Sequence, residues 1–438
     1  MKKIFKKSLL LLLIGVSSQI VKAQSTEKSL TISELFSLTK ENHPRLVVAK
    51  ADVEIAAQQV KVAKSNYTPS LSVGIQAFYL GDVNVLDKDF SHLAKQEMPH
   101  FGNSYSVEAR QLLWKGNSVR NAVKVQSLSE EIAQLSYTTN EQAIQLLVLG
   151  YYLDLYKLRN QAQVYEKNIN LAHQRLTNIQ RFEKQGMVTR NDVIRGELQV
   201  SNLKLALQVV QNNQQILNHQ LVLALGLPIG TVIVPTEKVL PESQLLAEEQ
   251  FQQQAKQHPT LQIAQKGVDL RKTAAKITRA SFMPSLSAFA GNTLQRPITT
   301  STPVRDMYAN NWRIGLSLNF NLDDIYKGSK KLQQNRWEQT KAEAQLTEAQ
   351  QNVNVAVTAA YIKYQEAITQ NETLKTNRDL ANENYRIMES KYNHQLAILL
   401  DLIDASNAKL DAELQFTNSE ITVVNAYYKL LKETKPSY

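Results

Sequence analysis

Two periodicities alternate along this chain, and the alternation occurs twice. In WRIGLSLNF, Trp312, Ile314, Leu316, Leu318 and Phe320 fall on one face, and Arg313, Gly315, Ser317 and Asn319 on the other. In SYSVEAR, Tyr105, Val107 and Ala109 oppose Ser104, Ser106, Glu108 and Arg110. A period of two predicts β-strands, here over about 70–80, 104–114, 285–295 and 311–321, with polar loops at 81–103 and 296–310 between paired strands. After the Lys-Gly steps at 115–116 and 327–328 the pattern becomes helical. No proline occurs from 100 to 227 or from 304 to 435, and apolar residues recur at spacings of three and four, as at Ile144, Leu147, Tyr151, Leu155 and Leu158. Both stretches are rich in Ala, Leu, Gln, Glu and Lys, which favour helix. The expected helices are 117–184 and 329–393, each broken (KQGMVT at 184–189, NHQLA at 393–397) and followed by a returning helix at about 190–226 and 399–432. These form two long hairpins, 117–226 and 329–432.

The two halves are copies. NHPRL at 42–46 recurs as QHPTL at 257–261, and NYTPSLS at 66–72 as FMPSLS at 282–287. WKG at 114–116 is answered by YKG at 326–328, and RNDVI at 190–194 by LDLID at 400–404. Four markers in one order indicate an internal duplication. The domain plan is a leader at 1–23, a first repeat at 24–228, a connector at 229–242 and a second repeat at 243–438. In each repeat a short helix reaches His-Pro, and the proline opens a second helix of about 22 residues. That helix and the returning helix, stacked end to end, approach the long helix in length. The pattern therefore predicts a tall helical wall, with strands at one end and hairpin turns at the other.

The chain opens with MKKIFKKS, continues through LLLLLIGV and reaches VKA before Gln24. A basic start, a short apolar run and a small residue make a secretory signal peptide. There is no cysteine, so neither disulfides nor a lipoprotein acylation site is available. The net charge of +10 falls when the five leader lysines are removed, leaving 45 basic against 40 acidic residues. No Arg/Lys block points to nucleic acid. No segment after the leader offers roughly 18 consecutive apolar residues, so no membrane-spanning helix is expected. A β-barrel is the other way across. Four strands fall short of the ~8 a membrane barrel needs, so strands must be pooled between chains.

The duplication, the paired His-Pro and Pro-Ser-Leu-Ser markers, the strand pairs and the hairpins together resemble the outer-membrane efflux proteins, the TolC-type channels, over essentially the whole chain after the leader. The resemblance implies a mainly α protein with a membrane β part. It implies a homotrimer with a 12-stranded barrel in the outer-membrane lipid and a periplasmic α-helical tunnel. It implies a passive exit duct of a tripartite efflux or type I secretion system, working with a periplasmic adaptor and an inner-membrane pump, with no catalytic site and no cofactor. Asp401 and Asp404 in ILLDLIDA match the family's paired acids at the closed tip, where they would form two stacked rings favouring cations. By itself such a pair also fits an ordinary helix start. Tyr392 and Asp192 match a tip latch between hairpins. Gly186 and Gln395 mark the turns on which an adaptor would dock. The family's basic latch residue is replaced by Ala397 and its turn glycine by Gln395, so packing of Leu396, Ile398 and Leu399 is expected to contribute to closure. Tyr79, Tyr105, Trp114, Trp312 and Phe320 are candidate aromatic girdle residues at the membrane interfaces.

The other chemistry is sparse. His43 and His258 belong to the His-Pro steps, and a helix-start role is expected of them. His92 and His100 lie in a strand loop and His394 in a turn, and no histidine and acid combine at metal-ligand spacing. The alternative functions are a periplasmic coiled-coil adaptor or scaffold without a pore, and a secreted enzyme using the two aspartates. The duplicated strand pairs weigh against the first, and the Leu/Ile surroundings of the aspartates against the second. The transported substrate (drug, metal ion or protein) is not legible.

Overall fold

The computed structural model describes residues 27–236, 247–301 and 303–434. The leader therefore lies outside the described residues, as do residues 237–242 of the connector. The elements are β1 (Glu27–Leu30), α1 (Ile32–Asn42), α2 (Pro44–Ser65), β2 (Ser70–Tyr79), β3 (Val83–Leu86), β4 (His92–Gln96), β5 (Phe101–Trp114), α3 (Ser118–Lys184), α4 (Arg190–Ala224), β6 (Val232–Pro235), α5 (Glu248–Ala255), α6 (Pro259–Ser281), β7 (Ser285–Arg296), β8 (Ala309–Asn319), α7 (Asp323–Asn393) and α8 (Leu399–Thr434). The four long strands, of 10 to 14 residues, and both hairpins stand where the periodicity places them, β5 starting three residues early at Phe101. No described helix is long and apolar enough to cross a membrane.

The chain divides into two compact units. One comprises residues up to 44, 144–243 and 363–429, and it holds the hairpin turns. Its α1 starts on a complete capping box, in which Thr31 accepts from the Glu34 amide while the Glu34 carboxylate accepts from the Thr31 amide. β1 and β6 pair in parallel, Glu27 to Val232 through Leu30 to Pro235. The Asn218 side chain from α4 donates to the Thr231 carbonyl (2.7 Å) and accepts from the Ile233 amide (2.8 Å), and the Tyr152 hydroxyl donates to the Leu30 carbonyl (2.8 Å). These bonds satisfy backbone groups in a core of Leu30, Leu35, Val148, Leu149, Leu221 and Ile233, all almost fully buried. Four-residue strands carry too few alternations to register as a pattern, so this pair was not foreseen.

The other unit comprises residues 45–143, 244–362 and 430–438. Its centre is one antiparallel sheet in the order β2-β5-β7-β8. The expected pairs β2–β5 and β7–β8 form, and β5–β7 pairing (Asn103 to Arg296 onward) joins the two repeats. The register puts Leu71, Val73, Ile75 and Tyr79 of β2 on the face of Tyr105, Val107 and Ala109 of β5, and of Leu286, Ala288 and Ala290 of β7 with Ile314, Leu316 and Leu318 of β8. The opposite face carries Ser72, Gln76, Ser106, Ser287, Thr293, Ser317 and Asn319. The apolar face is uncovered: Val73 is 69% exposed and Ile314 74%. β2 and β8 are open edges. A wet apolar face of this extent is unfavourable, and open edges recruit further strands. The sheet is built for an apolar medium on one side and for more strands at both ends.

Two expectations need correction. The loop at 81–103 is not simply polar coil, because β3 and β4 form a hairpin within it, Val83 opposite Gln96. The Lys-Gly markers are also unequal. Gly116 is a turn residue with φ +52°, whereas Gly328 lies inside α7, which starts before it. A Cβ on Gly328 would come within 2.5 Å of the Phe282 ring, so glycine is there for packing. His258 caps α6, its Nδ1 accepting from the Thr260 amide (3.2 Å), and burial pushes its pKa down from the ordinary 6.5.

Replacing Ile314, at the middle of β8, by Lys should cost about 2–4 kcal/mol of folding stability in lipid, whereas Ser317→Lys on the other face should cost little. Urea unfolding of the two variants in liposomes reads the difference.

Candidate functional site: the hairpin turns

The two turns are the same structure built from different residues. Gly186 has φ +72° and Gln395 φ +63°. After each, an amide reaches back across the turn: Met187 N–H to Phe182 O (2.9 Å) and Leu396 N–H to Lys391 O (2.8 Å). This is the left-handed helix terminus that glycine makes easily. Gln395 makes it with a Cβ, at a cost of about 1–2 kcal/mol.

The returning helices also start alike. Asp192 accepts from the Thr189 amide (2.9 Å) and hydroxyl (2.8 Å), completing a capping box. Asp401 occupies the equivalent place and accepts from the Ile398 amide (3.3 Å), but Ile398 has no hydroxyl to return the bond. Asp401 thus performs the helix-start role, and Asp192 does the same in the first hairpin. Asp404 makes no helix-start bond of this kind and, like Asp401, is exposed. Leu402 and Ala405, between and beyond them, are buried. The two carboxylates therefore share the solvent side of α8, opposite its packed side.

The hairpins meet in a cluster of Ile179 and Val193 from the first with Tyr385, Tyr392, Leu399 and Leu402 from the second, flanked by Phe182 and Met388. Tyr392 is 7% exposed and lies edge-on to Phe182 (centroids 6.4 Å apart). Its hydroxyl is buried and has no hydrogen-bond partner within the chain. The carboxylate of Asp192 serves Thr189 instead, so the expected Tyr392–Asp192 bond is not made in this conformation. Burial, followed by the nearby Asp192 charge, raises the Tyr392 pKa above 10.0. Leu399 packs into the cluster as expected, but Leu396 (77% exposed) and Ile398 (64%) do not.

What does tie the hairpins together is Arg175 of α3, which the sequence reading missed. The side chain is buried. It donates to Gln199 of α4 (3.0 Å), Tyr385 of α7 (3.1 Å) and Ser406 of α8 (3.2 Å). Tyr385 donates to Glu389 (2.7 Å), and Lys409 lies 4.7 Å from the Tyr385 ring centroid. Farther along, Asn168 donates to Glu413 (3.2 Å). One guanidinium joins all four helices. Burial, and then the bond to Glu389, raise the Tyr385 pKa above 10.0, against the opposing effect of Arg175. An arginine among the polar residues of α3 gives no periodic signal, because its partners are distant in sequence.

In the sheet unit, Tyr79 and Trp114 end strands β2 and β5, and Phe320 follows β8. Tyr79 stacks on His100 (5.2 Å, 10°). Tyr105 and Trp312 sit inside β5 and β8 rather than at their ends, and share the apolar face. Among the described residues no group of three or more His, Asp or Glu is placed to hold a metal ion.

The family model described as outer membrane efflux protein matches residues 35–227 and 251–432. A curated relative, the outer membrane efflux protein BepC of Brucella suis biovar 1 (strain 1330), is 22% identical over 435 residues, covering 98% of this chain and 90% of that one. Among solved structures, the outer membrane protein VceC of Vibrio cholerae superposes with TM-score 0.75 at 14% identity, over 92% of this chain and 95% of that one. The open state of the Neisseria gonorrhoeae MtrE outer membrane channel superposes with TM-score 0.74 at 14% identity, over 93% and 90%.

Arg175→Met, which strands several buried polar groups, should destabilise the hairpin cluster by about 2–4 kcal/mol. Slowed or accelerated hydrogen exchange around Tyr385 reports it, and acceleration is expected. Both tyrosines titrate above the free value, so the packing that depends on their neutral forms is intact below pH about 10 and is lost as pH rises through their raised values. Tyr392→Phe should blunt that alkaline loss. At neutral pH it should hold stability or raise it by about 1 kcal/mol, because it removes a buried unpaired hydroxyl. Urea melts across the pH range check both, and a neutral-pH loss would mean the hydroxyl has a partner.

Proposed function

The chain belongs to the outer membrane efflux protein family, and on that premise we propose which of its residues form the pore, the gate and the docking surface. It is an outer-membrane channel, the exit duct of a tripartite efflux system, with a tunnel extending into the periplasm. It is a transport protein. We assign it no catalytic step, and substrates pass through it passively, driven by the pump.

The observation that carries the duct reading is the four-stranded sheet, with one uncovered apolar face, one polar face and two open edges. In lipid every strand edge must be paired. Three chains, as in the family's trimeric channels, close twelve strands with the apolar face to lipid and the polar face to the lumen. Uncovered helical stripes support the homotrimer. On α4, Ile194, Leu198, Leu205, Val209, Ile216 and Leu223 are all at least 42% exposed and recur at intervals of four and seven. This is the spacing of a coiled-coil seam awaiting a partner helix. Val48, Ile55 and Val62 make a shorter seam on α2.

At the turns, Asp401 and Asp404 are assigned to two acidic rings lining the closed end. Their common solvent face and the packing of Leu402 and Ala405 on the other side favour this. The rings would pass cations in preference to anions. The exposed apolar side chains at the turns, Met187, Leu396 and Ile398, flank Gly186 and Gln395 and form the surface offered to a periplasmic adaptor, which links the duct to an inner-membrane pump. The closed state is held by the Arg175 network together with the Tyr392 cluster, in place of a Tyr392–Asp192 bond.

Purified protein in a planar bilayer should show low, cation-preferring conductance, and Asp401→Asn/Asp404→Asn should lose that preference. Identical ion selectivity in the two proteins would leave Asp401 as a helix start only and Asp404 as a solvated surface charge. Leu205→Glu with Ile216→Glu should convert trimer to monomer, since each site loses about 1.5–3 kcal/mol of apolar burial per chain and gains a buried charge. Native mass spectrometry in detergent gives the stoichiometry.

A further inference from the structure

The polar face of the sheet is almost uncharged. Strands β2, β5, β7 and β8 contain four charged residues: Glu108, Arg110, Arg296 and Arg313. Arg296, the last residue of β7, is held by two 2.7 Å bonds to Asp306 in the following loop. The other three lie on the polar face, with each arginine beside Glu108. Glu108 of β5, Gly291 of β7 and Arg313 of β8 stand in one row across the sheet. Gly291 has no side chain to intervene, and Arg313 lies 3.8 Å from one Glu108 oxygen while Arg110 donates to the other (3.0 Å). The Arg313 guanidinium also sits 5.8 Å from the Phe289 ring centroid. That ring covers Gly315, where a Cβ would come within 2.9 Å of it. The neighbours on this face are short and neutral: Ser72, Gly74, Ser104, Ser106 and Ser317.

We infer that Arg110, Arg313 and Glu108 form an anion-favouring belt on the lumen wall of the β-barrel, making them specificity-determining residues for solutes leaving the duct. The inference rests on the duct reading. Two arginines to one glutamate leave one net positive charge per chain on this stretch of the wall. The glutamate accepts a hydrogen bond from Arg110 and faces the Arg313 charge on its other side, and so spreads the arginines along the wall. Phe289 adds a flat apolar surface beside Arg313, which suits an anionic group carried on an aromatic or apolar body. The belt is opposite in sign to the aspartates assigned to the closed end. Its reach is limited by screening, about 10 Å at 0.1 M salt. It therefore biases which ions and solutes pass without blocking either sign.

The test is the reversal potential in a KCl gradient, measured on the full trimer with Asp401→Asn/Asp404→Asn present throughout, so that the closed end does not set the sign. The parent in this background should prefer chloride, more strongly at low than at high salt. Arg110→Gln/Arg313→Gln should shift the reversal potential toward potassium, Glu108→Gln should shift it further toward chloride, and Arg110→Lys/Arg313→Lys should restore the parent value. Trimer yield on native gels identifies any variant that fails to assemble, and the charge-retaining lysine variant separates a charge effect from a packing effect. Unchanged reversal potentials in conducting, assembled variants overturn the belt while leaving the duct intact. An assembled parent that conducts nothing overturns the duct and the belt with it.

Discussion

Lipid offers no hydrogen bonds, and this constraint organises the molecule. A sheet of four strands with an apolar face cannot rest in a bilayer with its two edge strands unpaired, and it cannot rest in water with Val73, Ile75, Ile314 and Leu316 exposed. Both conflicts are resolved by one act, closure of a barrel with other copies of the chain. Oligomerisation is therefore a condition of folding in the membrane. The heptad-spaced apolar side chains of α4 follow the same logic in water, since they need a partner helix to be dry.

The duplication supplies two versions of each device, and the two are not equally stabilised. The first turn uses glycine and a full capping box, Thr189 with Asp192. The second holds the same backbone with Gln395 and only half a box, Ile398 with Asp401. The second hairpin tip is thus the less stabilised of the two by local interactions. It is also the one that carries Asp404, Leu396 and Ile398 on its surface. The weak local terms at this tip leave the joining of the two hairpins to a network elsewhere. Arg175 provides that network by bonding from α3 to the other three helices of the hairpin pair.

Buried polar groups at this site act in opposite directions. The Arg175 guanidinium is satisfied on several sides, so it specifies one arrangement of the helices and resists others. The Tyr392 hydroxyl is unsatisfied in the same neighbourhood and works against the packing its ring provides. The packing of the two hairpins therefore holds one well-satisfied buried polar group and one unsatisfied one.

The sequence alone determined the long elements. Period-two stretches and long proline-free apolar periodicities are local signals, and the strands and hairpins stand where those signals put them. Repeated markers revealed the duplication, and the alternation on β8 already separated its apolar from its polar face. The tertiary structure decided what depends on residues far apart in the chain. Strands β1 and β6 are each too short to carry a pattern and exist because they find one another across some two hundred residues. The two Lys-Gly steps look alike in sequence, yet Gly116 turns the chain and Gly328 makes room for Phe282. Arg175 meets Tyr385 and Ser406 only after both hairpins have packed. Glu108 and Arg313 meet only because strand register places Gly291 between them. Local propensity is written along the chain, but the partners of a side chain are chosen by the fold.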